Sequence, residues 1–172
     1  NIDTLNEKFE AEAFIEAEWF DTKFPADAQN YDVQVHWNPK LSVDNSIGEL
    51  KDERYYTINR SSPANDGGHI TEHRKIKGVF WEKLELHDFP FDVQDLTIKV
   101  TSDYLAEDIA LKENFDRPSS INRRAFTAQQ EWSLFEHVEV SHQFVVAGTY
   151  ATVILQPIIN RDDKRGMGNE LL

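Results

Sequence analysis

The chain has 172 residues, a formal net charge of −13 and a pI near 4.8. So acidic a surface repels phosphate, which argues against a nucleic-acid partner. The sequence has no cysteine, which excludes disulfides and thiolate chemistry, and no apolar run approaches the ~18 residues that span a bilayer. Its 40% of hydrophobic residues are enough for one domain with a substantial core.

The N-terminal part of the chain predicts strands. Phe9–Trp19 alternates between an apolar face and a face of four glutamates, as in a half-buried strand, although glutamate and alanine also favour a helix. Phe14 interrupts the acidic face. A second alternating run, Tyr31–Trp37, predicts another strand, whereas Asp44–Asp52 has the composition of a loop and Arg54–Asn59 that of a short strand.

The C-terminal part adds more strands and little helix. The further predicted strands are His69–Lys77, Val79–Leu86, Leu96–Val100, His137–Val146 and Thr149–Ile159. The polar stretch Tyr104–Gln130 is poorly periodic, with a short helical turn predicted near Ala106–Leu111. Many short strands at regular spacing predict an all-β, antiparallel β-sandwich.

The most specific motif is Phe89-Pro90-Phe91-Asp92-Val93-Gln94. Pro90 fixes its own φ and favours an extended conformation at Phe89. Two aromatic side chains in a turn are expected to pack against their own domain or a neighbouring one. Taken alone, the motif favours a hairpin corner whose aromatic rings fill the end of a sheet core.

Six landmarks in the chain share their order with one family. They are Trp19-Phe20-Asp21, Trp37-Asn38-Pro39 with Asn45, Gly68-His69 with Trp81-Glu82, the Phe89–Gln94 motif, Glu131-Trp132-Ser133-Leu134, and Tyr150 with Arg161. Together they resemble the extracellular domain of pentameric ligand-gated ion channels, the Cys-loop receptor superfamily. The two cysteines of animal members fall on Glu82 and Leu96 here, so the chain resembles the cysteine-less, prokaryotic-type members.

The resemblance implies an immunoglobulin-like β-sandwich with Greek-key connections over residues 1–161. It implies a homopentamer that binds a small molecule or an ion between adjacent subunits. The other implied partner is the transmembrane domain of the parent channel, which places this domain on the extracellular or periplasmic face of the membrane. Residues 162–172 are predicted to be a polar tail in place of the pre-membrane segment, and both an excised channel domain and a naturally soluble binding protein fit that tail.

The resemblance also implies a set of ligand-binding residues. They are Phe14, Glu16 and His73 on the complementary side, and Asp44, Asp103, Tyr104, Phe144 and Tyr150 on the principal side. Asp44 and Asp103 replace aromatic residues of many relatives. Carboxylates beside aromatic rings suit a small cation, a proton or calcium, and no cofactor is expected beyond such a divalent cation as a modulator. A simpler alternative is that Phe14 and Tyr150 only pack at the subunit interface.

A second implied group couples the domain to the channel. It comprises Thr4, Leu5, Phe89, Pro90, Phe91, Asp92 and Arg161. Asp92 and Arg161 are expected to pair near the membrane, and Thr4 replaces the glutamate that usually joins them. The alternative is an ordinary surface ion pair, which contributes ~0–1 kcal/mol.

Other classes of function have weaker support. The glutamates of Phe9–Trp19 are better explained by a solvated strand face than by glycoside hydrolysis. The histidines lack the H-E-x-x-H spacing, and no Gly-x-Ser-x-Gly motif or phosphate-binding loop is present. The chain is therefore predicted not to be an enzyme, and an adhesion or assembly sandwich is the alternative to a receptor domain.

Overall fold

The computed structural model describes residues 1–60, 67–85, 92–126, 132–142 and 150–161. Within these ranges the regular structure consists of strands and one short 3-10 helix, Arg123–Ala125. The strands are β1 (Ile2–Asp3), β2 (Lys8–Asp21), β3 (Leu41–Val43), β4 (Ser46–Asn59), β5 (Gly68–Trp81), β6 (Val93–Asp95), β7 (Ile98–Leu105), β8 (Trp132–His142) and β9 (Tyr150–Arg161).

The strands form two antiparallel sheets that pack as a sandwich. One sheet has the order β1-β2-β5-β4, and the other has the order β3-β7-β9-β6, with β8 also paired to β9. The chain changes sheet between β2 and β3, between β3 and β4, and between β5 and β6, which gives Greek-key connections. The predicted all-β sandwich is confirmed.

The alternation of β2 decides its structure. All 14 of its residues pair with β5 in one unbroken register, from Lys8 opposite Trp81 to Asp21 opposite Gly68. This register excludes the helix that the composition of Phe9–Trp19 also allowed. The alternating apolar residues from Phe9 to Trp19 therefore point toward the second sheet, whereas the glutamates and Phe14 point to solvent.

The core lies between the two sheets. The rings of Phe9 and Phe80 stack with centroids 5.4 Å apart, and Ile76, Trp132 and Ile159 are buried beside them. Burying each side chain of this size stabilises the fold by about 1.5–3 kcal/mol. The sandwich is thus held by residues from β2, β5, β8 and β9.

The strand predicted at Tyr31–Trp37 is wrong. The backbone turns there because the amides of Val35 and His36 both donate to the carbonyl of Asp32. The alternating rings belong instead to an aromatic cluster that packs at one end of the sandwich. The cluster comprises Trp19, Phe24, Tyr31, His36, Trp37, Tyr56 and Tyr104.

Two strands are longer than predicted. β4 begins at Ser46, although Asp44–Asp52 has the composition of a loop, and β5 continues through Gly78. A Cβ at position 78 would lie 2.7 Å from Leu50 Cδ1. Glycine at this position leaves room for the Leu50 side chain of β4, and it does not end the strand.

The C-terminal elements follow the prediction more closely. β8 pairs with β9 antiparallel as predicted, with a register shift between Leu134 and Val138, but β8 begins at Trp132 and not at His137. Residues 143–149, which include the predicted end of that strand and the turn, lie outside the described residues. The helical turn predicted near Ala106–Leu111 is a turn in which Ile109 N donates to Leu105 O at 3.1 Å. Residues 84–85, in contrast, lie outside the strands although they were included in the predicted run to Leu86.

A network of charges is centred on the buried side chain of Arg74. Arg74 on β5 donates to both carboxylate oxygens of Asp52, at 2.8 and 2.6 Å, and to Leu41 O at 2.9 Å. Arg54 adds a bond to Asp52 at 2.7 Å. Burial alone raises the pKa of Asp52, but the hydrogen bonds and charges of Arg74, and then of Arg54, outweigh it and lower the pKa. Because Leu41 belongs to β3, Arg74 joins the two sheets.

A buried carboxylate extends this network. Glu72 is 2% exposed, and Tyr56 Oη donates to its Oε2 at 2.9 Å. Burial, followed by this hydrogen bond, raises the pKa of Tyr56 to about 12. The tyrosine therefore stays protonated and continues to donate across the whole neutral range.

Candidate functional site

Glu16 and His73 meet on the outward side of β2, β5 and β4, which we call the outer face. The strand register aligns Glu16, His73 and Tyr55 in one row across the three strands. His73 Nδ1 lies 3.0 Å from Glu16 Oε1, and its Nε2 lies 2.9 Å from Thr57 Oγ1. The Tyr55 ring stacks on the imidazole with centroids 4.6 Å apart. His73 is thus held on both nitrogens and on one ring face.

Phe14 lies in the neighbouring row of the outer face. Its side chain is 72% exposed, and it pairs across the strands with Lys75. Lys75 Nζ lies 5.2 Å from the centroid of the Phe14 ring and 3.1 Å from Glu12 Oε1. The structure therefore brings together the three residues predicted for the complementary side, and it places an ammonium group of the chain over the exposed ring.

Arg117 reaches the outer face from the connection between β7 and β8. Its Nη1 lies 3.1 Å from Glu16 Oε2, so the two oxygens of Glu16 have different partners. Sequence reasoning missed Arg117, Lys75 and Tyr55. Lys75 on β5 and Tyr55 on β4 alternate in sequence so that they point to the same side of the sheet as His73. Only the pairing register of the strands shows which residues lie beside them. Arg117 lies in a stretch without periodicity and gave no signal.

Of the residues predicted for the principal side, Asp103 and Tyr104 lie on β7, and Asp44 directly follows β3. Asp44 Oδ2 accepts a hydrogen bond from Thr101 Oγ1 at 2.5 Å, and this hydroxyl lies 3.1 Å from that of Thr152 on β9. Asp103 N donates to Lys40 O at 3.2 Å, which ties β7 to the chain before β3. The two aspartates are exposed at that edge of the sandwich.

Tyr104 is part of the aromatic cluster. Its ring stacks on Trp37 with centroids 5.8 Å apart, and Lys40 Nζ lies 5.5 Å from its centroid. Phe144 lies outside the described residues, as does the side chain of Tyr150, whose backbone begins β9. Among the described residues, the predicted complementary group therefore lies on the first sheet, whereas Asp103 and Tyr104 lie on β7 of the second sheet and Asp44 directly follows β3.

The coupling loop is described from Asp92 onward. Asp92 is 2% exposed and accepts a hydrogen bond from Gln94 Nε2 at 2.9 Å, and the same amide donates to Glu85 O at 2.6 Å. β6 pairs Val93 with Asn160, so the next pair along this register is Asp92 with Arg161. The side chain of Arg161 and the whole of Phe89-Pro90-Phe91 lie outside the described residues, and their pairing and packing stay predictions.

The base of this loop is closed by polar contacts. Thr97 N donates to Glu82 Oε2 at 2.6 Å. The side-chain amide of Asn45 donates to the carbonyls of Trp81 and Thr97, at 3.0 and 2.7 Å, and accepts from Lys99 N at 3.0 Å. This hydrogen bond joins the two ends of the loop at residues 82 and 97, and the resemblance is what places a cysteine of animal members at the position of Glu82.

The predicted tip of the first hairpin is present. Leu5 lies in the turn between β1 and β2 and is 93% exposed, with Thr4 beside it. Asp3 accepts hydrogen bonds from the backbone and side chain of Asn6, at 3.1 and 2.8 Å, which fixes the turn. An apolar side chain is thus presented at the end of the sandwich where β2 begins.

The fold is an all-β sandwich, and its outer face presents an aromatic ring and a carboxylate on one strand. A family model described as the neurotransmitter-gated ion-channel ligand-binding domain matches residues 1–162, and the chain belongs to this family. A search of curated proteins gives no significant match to the chain. In the part of the chain that the structure describes, no helix has the length and apolar character needed to cross a membrane. Across the same residues, no three acidic or histidine side chains converge as metal ligands, and the calcium modulator stays a prediction.

Proposed function

We propose that this domain is the extracellular or periplasmic sensor of a pentameric channel, and that it binds a small cation between adjacent copies. Membership of the family supports the binding role and the multimeric state. The observation that carries the cationic ligand is that an exposed aromatic ring, Phe14, and the carboxylate of Glu16 lie two residues apart on the same face of β2. Both groups attract ammonium and guanidinium ions.

The described candidate residues fall into two groups that lie apart in one subunit, which supports a site shared between adjacent subunits. Glu16 and His73 lie on the first sheet, whereas Asp44 and Asp103 lie at an edge of the second. A ring of copies related by rotation would bring one group of each copy against the other group of its neighbour. The additional carboxylates of Asp44 and Asp103 would then face a cation already held by Glu16.

We propose further that Asp92 and Arg161 transmit the binding event to the membrane part. The register that aligns them supports this pair, and Leu5 presents an apolar contact in the first hairpin. In the intact channel, Asp92→Asn is expected to impair gating while ligand affinity stays nearly unchanged. Wild-type gating in that variant would contradict the coupling role.

Calorimetric titration of the chain with 1-aminobutane, at concentrations where light scattering detects a ring, tests the ligand site. Glu16→Gln is expected to weaken binding by about tenfold or more, because a charge-assisted hydrogen bond is lost. Phe14→Leu keeps the apolar bulk but removes the ring, and a loss of roughly two- to fivefold is expected. Phe135→Leu is the matched control, since Phe135 is an exposed phenylalanine on β8 of the other sheet and is not among the candidate residues. Unchanged affinity in both site variants, or a strict monomer, would contradict the proposal.

A further inference from the structure

Both cation-binding groups of the outer face are occupied by cations of the chain itself. The ammonium of Lys75 lies over the Phe14 ring at 5.2 Å, and the guanidinium of Arg117 lies 3.1 Å from Glu16 Oε2. These cations come from different parts of the chain, one from β5 and one from the connection after β7. Each stands where a cationic ligand would be expected.

The spacing of the two positions follows from the strand. Phe14 and Glu16 are two residues apart on β2, so their side chains leave the same side of the sheet. At about 3.3 Å per residue their Cα atoms are separated by roughly 7 Å. A ligand that replaces both chain cations must therefore carry two positive charges at about this distance.

We propose that the ligand of this site is a short aliphatic dication, with an ammonium or guanidinium group at each end. The proposal rests on the function proposed above and specifies its ligand class. One end replaces Lys75 over the Phe14 ring, and the other replaces Arg117 at the free side of the Glu16 carboxylate. His73 keeps its own bond to the other oxygen of Glu16.

The two chain cations are suited to being displaced. Their side chains are 41% and 65% exposed, so water solvates each of them after release. Lys75 also retains Glu12 as a partner at 3.1 Å. A monocation would displace only one of the two and leave the other beside it, where like charges repel.

Lys75 and Arg117 act in this proposal as competitors that set the affinity of the site. Their removal should strengthen the binding of a dication, which is the opposite of what a supporting residue would show. The competing explanation is an ordinary ladder of exposed ion pairs across the strands, in which neither cation stands in for a ligand.

The test is calorimetric titration of the full chain with 1,4-diaminobutane and 1,5-diaminopentane, compared with 1-aminobutane and 1,8-diaminooctane. The two short diamines are expected to bind about tenfold more tightly than the monoamine, and the long one is expected to lose this advantage. Lys75→Gln and Arg117→Gln should each raise the affinity for the short diamines by roughly three- to fivefold. Lys51→Gln is the control, because Lys51 lies on the same face but pairs with Glu53 at 2.8 Å.

Two outcomes would overturn the dication proposal. One is a diamine affinity no higher than that of 1-aminobutane, and the other is an equal effect of Lys75→Gln, Arg117→Gln and Lys51→Gln. If Glu16→Gln still weakens binding of the monoamine in either case, the cation site stands and only the ligand class is wrong. If Glu16→Gln and Phe14→Leu change no affinity, the site itself is wrong.

Discussion

The inner and outer faces of β5 carry similar charges but hold them in different ways. Glu72 and Arg74 point into the sandwich and are 2% and 4% exposed, whereas His73 and Lys75 alternate with them and point outward. The inner arginine binds a carboxylate through two hydrogen bonds and a carbonyl through a third. The outer lysine has one carboxylate and one ring within reach.

The difference shows how burial changes the role of the same residue types. Inside the sandwich no water replaces a lost partner, so each inner charge is tied to one arrangement. On the outer face water solvates a released charge, and partners exchange at little cost. The inner face is therefore suited to holding the sheets together, and the outer face is suited to exchanging a chain cation for a ligand.

The largest expected effect follows from removing Arg74. Arg74→Met leaves the carboxylate of Asp52 and the carbonyl of Leu41 without their main partner, and the free energy of unfolding should fall by about 3–5 kcal/mol. Urea denaturation followed by tryptophan fluorescence measures it. Lys75→Met, one residue further along, should cost only ~0–1 kcal/mol. Equal losses in the two variants would show that the faces do not differ.

Acid should reduce the contribution of this pair. The pKa of Asp52 is lowered below 3.8 in the folded protein, so the pair stabilises the fold fully above about pH 4. That stability is lost as the pH falls through the lowered pKa. Measured from about pH 7 down to about pH 2, the difference between the wild-type protein and Arg74→Met should therefore shrink. A constant difference would mean that Asp52 is not the partner that matters.

Tyr55 and Tyr56 are adjacent on β4 but point to opposite faces, and their removal is expected to change stability less than removal of Arg74. Tyr56→Phe removes the donor to Glu72, whose other carboxylate oxygen has no hydrogen-bond partner among the described residues. A loss of about 1.5–3 kcal/mol is expected in the free energy of unfolding. Tyr55 is 62% exposed, and Tyr55→Phe should change it by less than about 0.5 kcal/mol. A larger loss of stability in Tyr55→Phe than in Tyr56→Phe would contradict the assignment of Tyr56 to the inner face and Tyr55 to the outer face.

Only a small effect on stability is expected at Glu16. Its partners His73 and Arg117 are reached on the solvent side, so Glu16→Gln should lower the free energy of unfolding by only ~0–1 kcal/mol. The same variant is expected to have the largest effect on cation binding. A loss above about 2 kcal/mol in urea would instead assign Glu16 a structural role like that of Asp52.

The fold was predictable because its signals are local. The alternation of Phe9–Trp19 predicts β2, and the ordered landmarks predict the sandwich. The error at Tyr31–Trp37 has a physical reason, since rings that alternate in sequence pack into one aromatic cluster around a turn. The length of β4 was missed because charged residues such as Asp52 are typical of loops, yet here a buried arginine stabilises one inside the sandwich.

The site was predictable only in part. Phe14 stood out because it interrupts an acidic strand face, and the resemblance added Glu16 and His73. Arg117 lies 101 residues from Glu16, and only the folded chain shows that they meet. Arg74 did leave a signal, because it shares the alternation of Ile76 and falls on the buried face of its strand.

The contact between Glu82 and Thr97 has a consequence for where this protein folds. A disulfide forms only under oxidising conditions, whereas a carboxylate that accepts an amide proton is indifferent to the redox state of its surroundings. The loop between these residues is therefore closed in the same way in reducing and in oxidising compartments. Thiol reagents that open the corresponding loop of cysteine-containing relatives have no target here.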